Sequence, residues 1–341
     1  MQFIDFPPFF GAILFFVLGL CFGSFLNLMA IRLLAEEPFV MPASHCTRCN
    51  KPLRWFHNIP VVSFLLLGGH CGFCKSPISI QYPLAELATG LLFALSFKHF
   101  GLSWPLLFVL FFVSNLVVIF LTDLRESLIY QINSLPLVPA GILFHLLGLA
   151  ENTKSTALDL GMVIINVPDS LISSIVGVIA AIVFFEGLIL FSKLVFNTEG
   201  FGHGDTHLMM GTGAFLGWQW MFAALLIGFF VQAIPAIPML VWQWIKNKQY
   251  PTLISGGMAV FFGLLPSLAM QLNVPVAVRL GLGIASLVLA VVSLLVFLTQ
   301  IKSRAEFTYM PLGPALIVGI LVMLFWGSAI SQWYQSLLIP A

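Results

Sequence analysis

Two aspartates lie at the ends of apolar runs, where carboxylates can do acid–base chemistry. Asp123 closes the run Val-Ile-Phe-Leu-Thr-Asp, and Asp205 stands between a glycine-rich stretch and a short apolar segment. Two facing carboxylates can hold one water molecule and share one proton, so that one acts as base on the water while the other polarises a scissile carbonyl. The pair therefore predicts the chemistry of an aspartic protease.

Each aspartate also has a purely structural interpretation when it is taken alone. Asp205 suits a helix N-cap after a glycine-rich loop, and Asp123 suits an interfacial residue paired with Arg125. The glycines around Asp205 favour catalysis, because glycine permits unusual backbone conformations and the close approach of a substrate backbone or of another helix. We expect Gly202 and Gly204 to support the site in this way.

Two glutamates lie within or beside apolar runs. Glu86 stands near the start of one run and Glu186 in the middle of another. A carboxylate in a span is a functional hypothesis by default, but the simpler interpretation is a hydrogen-bonded group that ties helices together. Of the two, we expect Glu86 to support the site.

Four cysteines form two C-x-x-C pairs, a pattern typical of zinc sites. Cys46 and Cys49 make one pair, and Cys71 and Cys74 make the other; together they can complete a tetrahedral site. Two disulfides are the alternative, which a reducing cytosol disfavours. Four thiolates leave no position open for water, so we expect the zinc to be structural. The fifth cysteine, Cys21, is expected to be a small buried apolar residue.

The composition places these residues in a membrane protein. Of the 341 residues, 60% are hydrophobic and 8% charged, whereas soluble domains carry about 25% charged residues. A chain this apolar uses the lipid bilayer as its solvent. The formal net charge of +1 argues against nucleic acid as a partner. No basic residue precedes the first apolar run, so we expect a retained first span and not a cleaved signal peptide.

About ten apolar segments are long enough, or nearly so, to cross the hydrocarbon core. They lie at 9–31, 84–97, 105–122, 135–150, 171–196, 207–218, 219–245, 253–270, 278–300 and 312–330. Segment 207–218 is the shortest of them, and it is counted as a crossing because the distribution of basic residues requires it.

Basic residues predict the orientation of the spans. With the N-terminus outside, most of the 14 basic residues lie on the cytoplasmic side: Arg32, Arg48, Lys51, Arg54, Lys75, Arg125, Lys193, Lys246, Lys248, Lys302 and Arg304. Only Lys98, Lys154 and Arg279 lie outside, as the positive-inside rule requires. We therefore expect an all-α polytopic membrane fold, with the aspartates and a small zinc-ribbon-like loop at the cytoplasmic face.

Several motifs, in order along the chain, resemble the type IV prepilin peptidase family. The matching segments are 19–33, 53–63, 82–90, 202–205, 213–219 and 311–316. The four-cysteine loop is similar to the amino-terminal domain of that family. The resemblance covers about residues 11–235 and 310–330, and it implies that Asp123 and Asp205 are the catalytic aspartates, the second within a G-x-G-D motif.

Three features depart from the family pattern. Tyr130-Gln131 stand where the family often has Pro-Asp, and His207 stands where it commonly has Lys. Residues 236–305 carry an extra pair of spans, which we expect to be peripheral to catalysis because an even number of crossings leaves the last span in place. The expected divisions are a first span (1–31), a cytoplasmic four-cysteine loop associated with methyl transfer (32–82), a membrane peptidase core (83–235), the inserted pair (236–305), and the last span with an external C-terminal tail (306–341).

The resemblance implies removal of the short basic leader of type IV prepilins or type II secretion pseudopilins at the cytoplasmic face of a bacterial inner membrane. It also implies methylation of the new N-terminus by S-adenosylmethionine, for which the sequence shows no nucleotide-binding motif of its own. Glu126 and Glu199 either attract the leader by charge or are ordinary solvated residues.

Two other functions remain open at this point. The chain could be a peptidase alone, with the zinc loop as a scaffold. It could also be an ion-coupled transporter, although transporters bring inverted repeats, and none is visible in the sequence.

Overall fold

Long helices form where the sequence is apolar, and they end at proline, glycine or polar residues. The computed structural model describes residues 7–38, 44–46, 48–150, 155–159, 164–196, 202–269, 284–293, 296 and 311–338. The helices in these residues are α1 Pro8–Leu34, α2 Val62–Leu66, α3 Gln81–Phe100, α4 Trp104–Glu126, α5 Gln131–Ser134, α6 Leu137–Leu146, α7 Asp169–Phe196, α8 His203–Leu216, α9 Trp218–Lys246, α10 Tyr250–Ala269, α11 Ile284–Ser293 and α12 Gly313–Leu338.

The all-α membrane fold predicted from the sequence is confirmed. Among the described residues, five helices are long and apolar enough to cross a membrane by length and composition: Pro8–Leu34, Trp104–Glu126, Ser170–Leu194, Trp218–Lys246 and Gly313–Trp333. The count of ten crossings stays a prediction, and the predicted span 278–300 lies partly outside the described residues. The backbone adds one small feature, an antiparallel hairpin of β1 Ser155–Asp159 and β2 Ile164–Pro168.

The chain divides into two compact units. One comprises Met1–Leu190, Glu199–Val231 and Pro311–Ala341, and the other comprises Phe191–Thr198 and Gln232–Met310. Both predicted catalytic aspartates and all the cysteines belong to the first unit. The second unit includes the predicted inserted pair of spans.

Glycines let the helices of the first unit approach until their backbones touch. A Cβ on Gly19 of α1 would lie 2.8 Å from the Cα of Gly90 in α3. Between α7 and α8, a Cβ on Gly213 would lie 2.5 Å from the carbonyl carbon of Gly177. Such close packing of small residues is a main source of helix association in lipid, where no hydrophobic effect drives it.

The interior of the first unit forms around α4. Phe112, Leu116 and Ile119 on this helix are buried against residues of α8 and α12, among them Leu208 and Leu316. Three helices from distant parts of the sequence therefore share one core. That core sets the end of α4 beside the starts of α8 and α12.

Candidate active site and metal centre

Asp123 lies in the last turn of α4 and is 4% exposed. Its Oδ2 atom is buried and has no hydrogen-bond partner among the described residues. Arg125 does not pair with it, because the Arg125 guanidinium donates to Asn27 Oδ1 at 3.0 Å. The structural interpretation of Asp123 as half of a surface ion pair is therefore wrong. A buried carboxylate oxygen without a partner is a position for a bound water or substrate.

Asp205 lies in the first turn of α8, close enough to Asp123 for the two carboxylates to repel each other when both are charged. The N-cap of this helix is Gly202, with φ −87° and ψ 145°. Asp205 is therefore the third helical residue and not the N-cap that its structural interpretation required. The structure thus brings the two sequence-predicted aspartates together across a gap of more than 80 residues.

Neither Gly202 nor Gly204 needs an unusual backbone conformation, but Gly204 allows the close approach that was the other part of the expectation. The backbone of Gly202 is extended, a conformation open to any residue, and Gly204 is helical. A Cβ on Gly204 would lie 2.6 Å from the Cβ of Ile129, in the segment that follows α4. Gly204 therefore lets the first turn of α8 pack against that segment, which brings Asp205 to the end of α4.

Gly313, at the start of α12, forms a wall of the site that the sequence analysis did not single out by itself. A Cβ at this position would lie 2.5 Å from Asp123 Oδ2. Its location between Pro311 and Pro314 was the available signal, because two prolines fix the backbone at a helix start. Only glycine leaves room for the carboxylate here.

Glu186 of α7 holds the first turn of α8, although Glu86 and not Glu186 was expected to support the site. Its Oε1 lies 3.0 Å from His203 Nδ1 and accepts a hydrogen bond of 3.3 Å from the Thr206 hydroxyl. His203 and Thr206 stand on either side of the Gly204-Asp205 pair in the sequence. The predicted role of Glu186 as a tie between helices therefore agrees with its contacts, and the tie is made at the turn that carries Asp205.

Glu86 has a different place from the one expected of a residue that supports the dyad. It is 7% exposed in α3 and accepts a hydrogen bond of 2.7 Å from the backbone N–H of Val61, in the cysteine loop. Neither aspartate is among its hydrogen-bond partners in the described residues. Glu86 therefore anchors the cysteine loop to α3. Of the two predicted rim glutamates, Glu126 is exposed at the end of α4 and Glu199 lies outside the described residues.

The four cysteines of the loop converge on one point. Their Sγ atoms all lie within 4.8 Å of one another, and Cys46 and Cys74 are 3.9 Å apart. Four thiolates around a zinc ion at about 2.3 Å have sulfurs about 3.8 Å apart by tetrahedral geometry. The four positions therefore fit a metal ion, as the spacing predicted.

Two matching backbone knuckles position the sulfurs. The N–H of Cys46 donates to Lys51 O at 3.0 Å, and the N–H of Cys71 donates to Ser76 O at 2.8 Å. One residue in each knuckle has a positive φ, Asn50 at 55° and Lys75 at 59°. Equivalent turns in the two halves of the loop let each C-x-x-C pair aim both thiols at the same ion. Cys21, by contrast, is exposed on α1, so its expected burial was wrong.

The pKa values of the cysteine thiols also favour a bound cation between the four sulfurs. Backbone hydrogen bonds from Cys49 and Arg48 lower the pKa of Cys46 to about 6. The Lys51 backbone acts to lower the pKa of Cys49, but burial and the neighbouring sulfurs of Cys46 and Cys74 outweigh it and raise that pKa to about 11. The Cys46 thiolate therefore forms readily, and its charge opposes ionisation of Cys49. A divalent ion between the two sulfurs offsets that repulsion and lets both thiols lose their protons.

A cavity of about 300 Å³ opens beside the end of α4, lined by Ile31, Leu34, Ala35, Arg125 and Glu126. Asn27, on α1 one turn before Ile31, is 1% exposed and has an Nδ2 atom without a partner among the described residues. Arg125 and Glu126 offer opposite charges to a bound molecule.

Comparisons with known proteins agree on one family. Residues 17–100 match the bacterial peptidase A24 N-terminal domain, and residues 109–237 match the type IV leader peptidase family. No solved structure matches the chain significantly.

Three relatives are each named prepilin leader peptidase/N-methyltransferase. The relative from Myxococcus xanthus is 35% identical over 69% of this chain and 66% of its own length. The relative from Klebsiella pneumoniae is 34% identical over 62% of this chain and 88% of its own length. The relative from Pseudomonas aeruginosa is 32% identical over 66% of this chain and 79% of its own length. The chain therefore spans just under two thirds of the first relative and most of the other two.

Proposed function

Because the chain belongs to the type IV leader peptidase family, we propose that it is a membrane-embedded aspartic endopeptidase that removes the short basic leader of type IV prepilins or type II secretion pseudopilins. The observation that supports this most directly is the juxtaposition of Asp123 and Asp205 at the ends of α4 and α8. An ion-coupled transporter is not favoured, since the relatives carry peptidase names.

The arrangement suits hydrolysis of a peptide bond by an activated water. The water is held between the two carboxylates, one of which accepts its proton while the other, protonated, donates a hydrogen bond to the scissile carbonyl. Asp205 lies at the positive N-terminal end of the α8 dipole and Asp123 at the negative C-terminal end of α4. The dipole of α8 stabilises a charged Asp205, whereas its burial and the neighbouring Asp123 favour the protonated form, so the pair shares one proton and either carboxylate can act as the base.

The direct test replaces each carboxylate with an amide of the same shape. Asp123→Asn and Asp205→Asn should each reduce cleavage of a prepilin to background, because an amide cannot accept the proton of the water. The matched control is Glu37→Gln, which changes an exposed carboxylate at the end of α1 and should keep full activity. Near-native turnover in either aspartate variant would refute the dyad. Serine-protease and metalloprotease inhibitors should have no effect.

The four-cysteine cluster fits a structural zinc. Cys46, Cys49, Cys71 and Cys74 would supply all four ligands, so the ion would have no open position for water and would fix the loop instead of taking part in hydrolysis. The loop would then stand on the cytoplasmic side of a bacterial inner membrane, with the dyad at the same face.

Methylation of the new N-terminus by S-adenosylmethionine is the second proposed activity. The cavity beside α4 fits the amino-acid end of that molecule, since Arg125 would bind its carboxylate and Glu126 its ammonium group. When bound, the molecule supplies the methyl group. Mass spectrometry of the cleaved product tests this activity: Arg125→Ala should lose the N-methyl group. Full methylation in that variant would exclude this cavity as the donor site.

A further inference from the structure

The cysteine loop carries an apolar face that no described residue covers. Val62, Leu65 and Leu66 occupy positions i, i+3 and i+4 of α2 and therefore share one side of that helix. They are 47%, 70% and 81% exposed, and Trp55 just before them is 79% exposed. Large apolar side chains exposed together on one short element mark an interaction site.

The hydrogen bond between the cysteine loop and α3 indicates how deep α2 lies relative to the membrane. The N–H of Val61, the residue before α2, donates to Glu86 in the second turn of α3. Ile80, the N-cap of α3, and Leu84, in its first turn, are 62% and 56% exposed, as lipid-facing residues at the start of a span are. The start of α2 is thus held at the level of the first two turns of a predicted span, where interfacial helices and tryptophans lie among the lipid headgroups.

The charge of the loop selects the chemistry of its partner. Arg48, Lys51, Arg54 and Lys75 are all exposed, and the sequence has no Asp or Glu between Glu37 and Glu86. The balance stays positive even if four thiolates hold a divalent ion, because that centre carries a formal charge of about −2. A basic leader peptide would be repelled by this surface, whereas an anionic phospholipid would be attracted.

We propose that the cysteine loop is seated on anionic phospholipid headgroups, with Trp55 and the apolar face of α2 at the acyl boundary and the exposed cations on the headgroups. The Val61–Glu86 hydrogen bond holds the start of α2 near the exposed Leu84 of α3, so one lipid surface can cover both. The loop is then a peripheral membrane element and does not stand free in water.

The test uses the full-length protein in nanodiscs of neutral lipid or of neutral lipid mixed with phosphatidylglycerol. The fluorescence of Trp55 is the difference between the native protein and Trp55→Phe. In the anionic discs this component should be quenched by lipids brominated near the headgroup and protected from acrylamide. Trp104→Phe is the control, since the Trp104 component should not depend on lipid charge.

A second set of variants tests whether the exposed cations of the cysteine loop hold it on anionic lipid. Lys51→Gln combined with Arg54→Gln and Lys75→Gln should reduce the lipid quenching of Trp55 several-fold in anionic discs, as should high salt. Lys246→Gln with Lys248→Gln removes cations elsewhere and should change nothing. A Trp55 component open to acrylamide in both lipids would overturn the proposal. Protection from acrylamide without quenching by lipid would also overturn it, in favour of a protein partner or a second copy of the chain.

Discussion

Gly313 controls the space available to the Asp123 carboxylate, and it does so by lacking a side chain. A methyl group there would approach Oδ2 to 2.5 Å, so either the carboxylate or the start of α12 must move. Displacements of about 1 Å at a reacting group can cost on the order of 100-fold in rate. We expect Gly313→Ala to lower kcat for prepilin cleavage by at least ~10-fold.

The control for this change is Gly257→Ala in α10, where a Cβ would meet no atom within 4 Å. That variant should cleave normally. Steady-state cleavage by both variants, with thermal unfolding to confirm that they fold, decides the matter. If kcat of Gly313→Ala stays near the native value, the contact with Asp123 does not limit the site.

A second prediction at the residue scale concerns the zinc content of the four-cysteine cluster. Metal analysis should give about one zinc per chain, since four thiolates complete one tetrahedral site. Cys46→Ser should lower that content sharply because three ligands hold zinc less tightly than four. Cys21→Ser, which changes a cysteine on α1 outside the cluster, should retain the zinc. A native chain without metal whose loop is nevertheless folded would contradict the assignment.

The candidate site residues that are rare in an apolar chain could be predicted from the sequence. Residues whose role depends on contacts between distant helices could not. The aspartates stood out because charge is scarce in this chain, and the cysteines because their spacing is typical of zinc ligands. Gly313 and Glu186 depend on which helices touch, which one sequence does not reveal. Cys21 was placed wrongly because burial within a bilayer-facing helix depends on the side of the helix, and α1 is apolar all round.

At the scale of elements, α8 positions Asp205 through its first turn, and Glu186 of α7 holds that turn. The contacts from His203 and Thr206 both reach Glu186 Oε1. The His203 and Glu186 side chains are 58% and 43% exposed, so the charge of the pair contributes little and the hydrogen bonds matter more. Glu186→Ala should therefore lower kcat several-fold with little change in KM, whereas Glu186→Gln, which keeps an acceptor oxygen, should stay within about 2-fold of native.

The comparison of the two Glu186 variants is what tests the hydrogen-bond account. Equal losses in Glu186→Gln and Glu186→Ala would show that charge, and not an acceptor, is required. No loss in Glu186→Ala would show that α8 holds its position without this contact. The same glutamine and alanine substitutions at Glu37 provide the matched control, because that carboxylate is exposed at the end of α1.

The start of α8 also shows why the sequence misplaced an element boundary. The predicted segment began at residue 207, because Gly202 and Gly204 were taken to be loop residues. The helix begins at His203, and Gly204 is inside it because Ile129 leaves no room for a side chain. Glycine in a helix normally destabilises it, so its packing role is visible only once the neighbouring segment is known.

At the scale of the whole molecule, Asp123 and Asp205 fall in one compact unit and the predicted extra spans in the other. Residues 252–300 contain no Asp, Glu or Cys, so they offer no acid or metal ligand to a site. Joining residue 249 to residue 302 should therefore preserve prepilin cleavage while lowering stability, since some helix packing is lost. Removing only α10, 250–269, should abolish cleavage, because a single lost crossing inverts the last span.

Three measurements on the joined protein keep this prediction open to refutation. The variant must insert, remain folded in detergent and retain zinc. If it meets all three conditions and still cuts no prepilin, the extra spans take part in the function. Conversely, cleavage by the variant lacking α10 alone would contradict the predicted topology of ten crossings.

The contact between Gly313 and Asp123 has a consequence for the biogenesis of the molecule. Both aspartates are synthesised and inserted well before α12, yet one wall of their site comes from that last helix. A nascent chain that has emerged only as far as residue 310 carries the complete dyad sequence without the complete site. We therefore expect a chain truncated at residue 310 to insert into the membrane but not to cleave a prepilin, because one wall of the proposed site is missing.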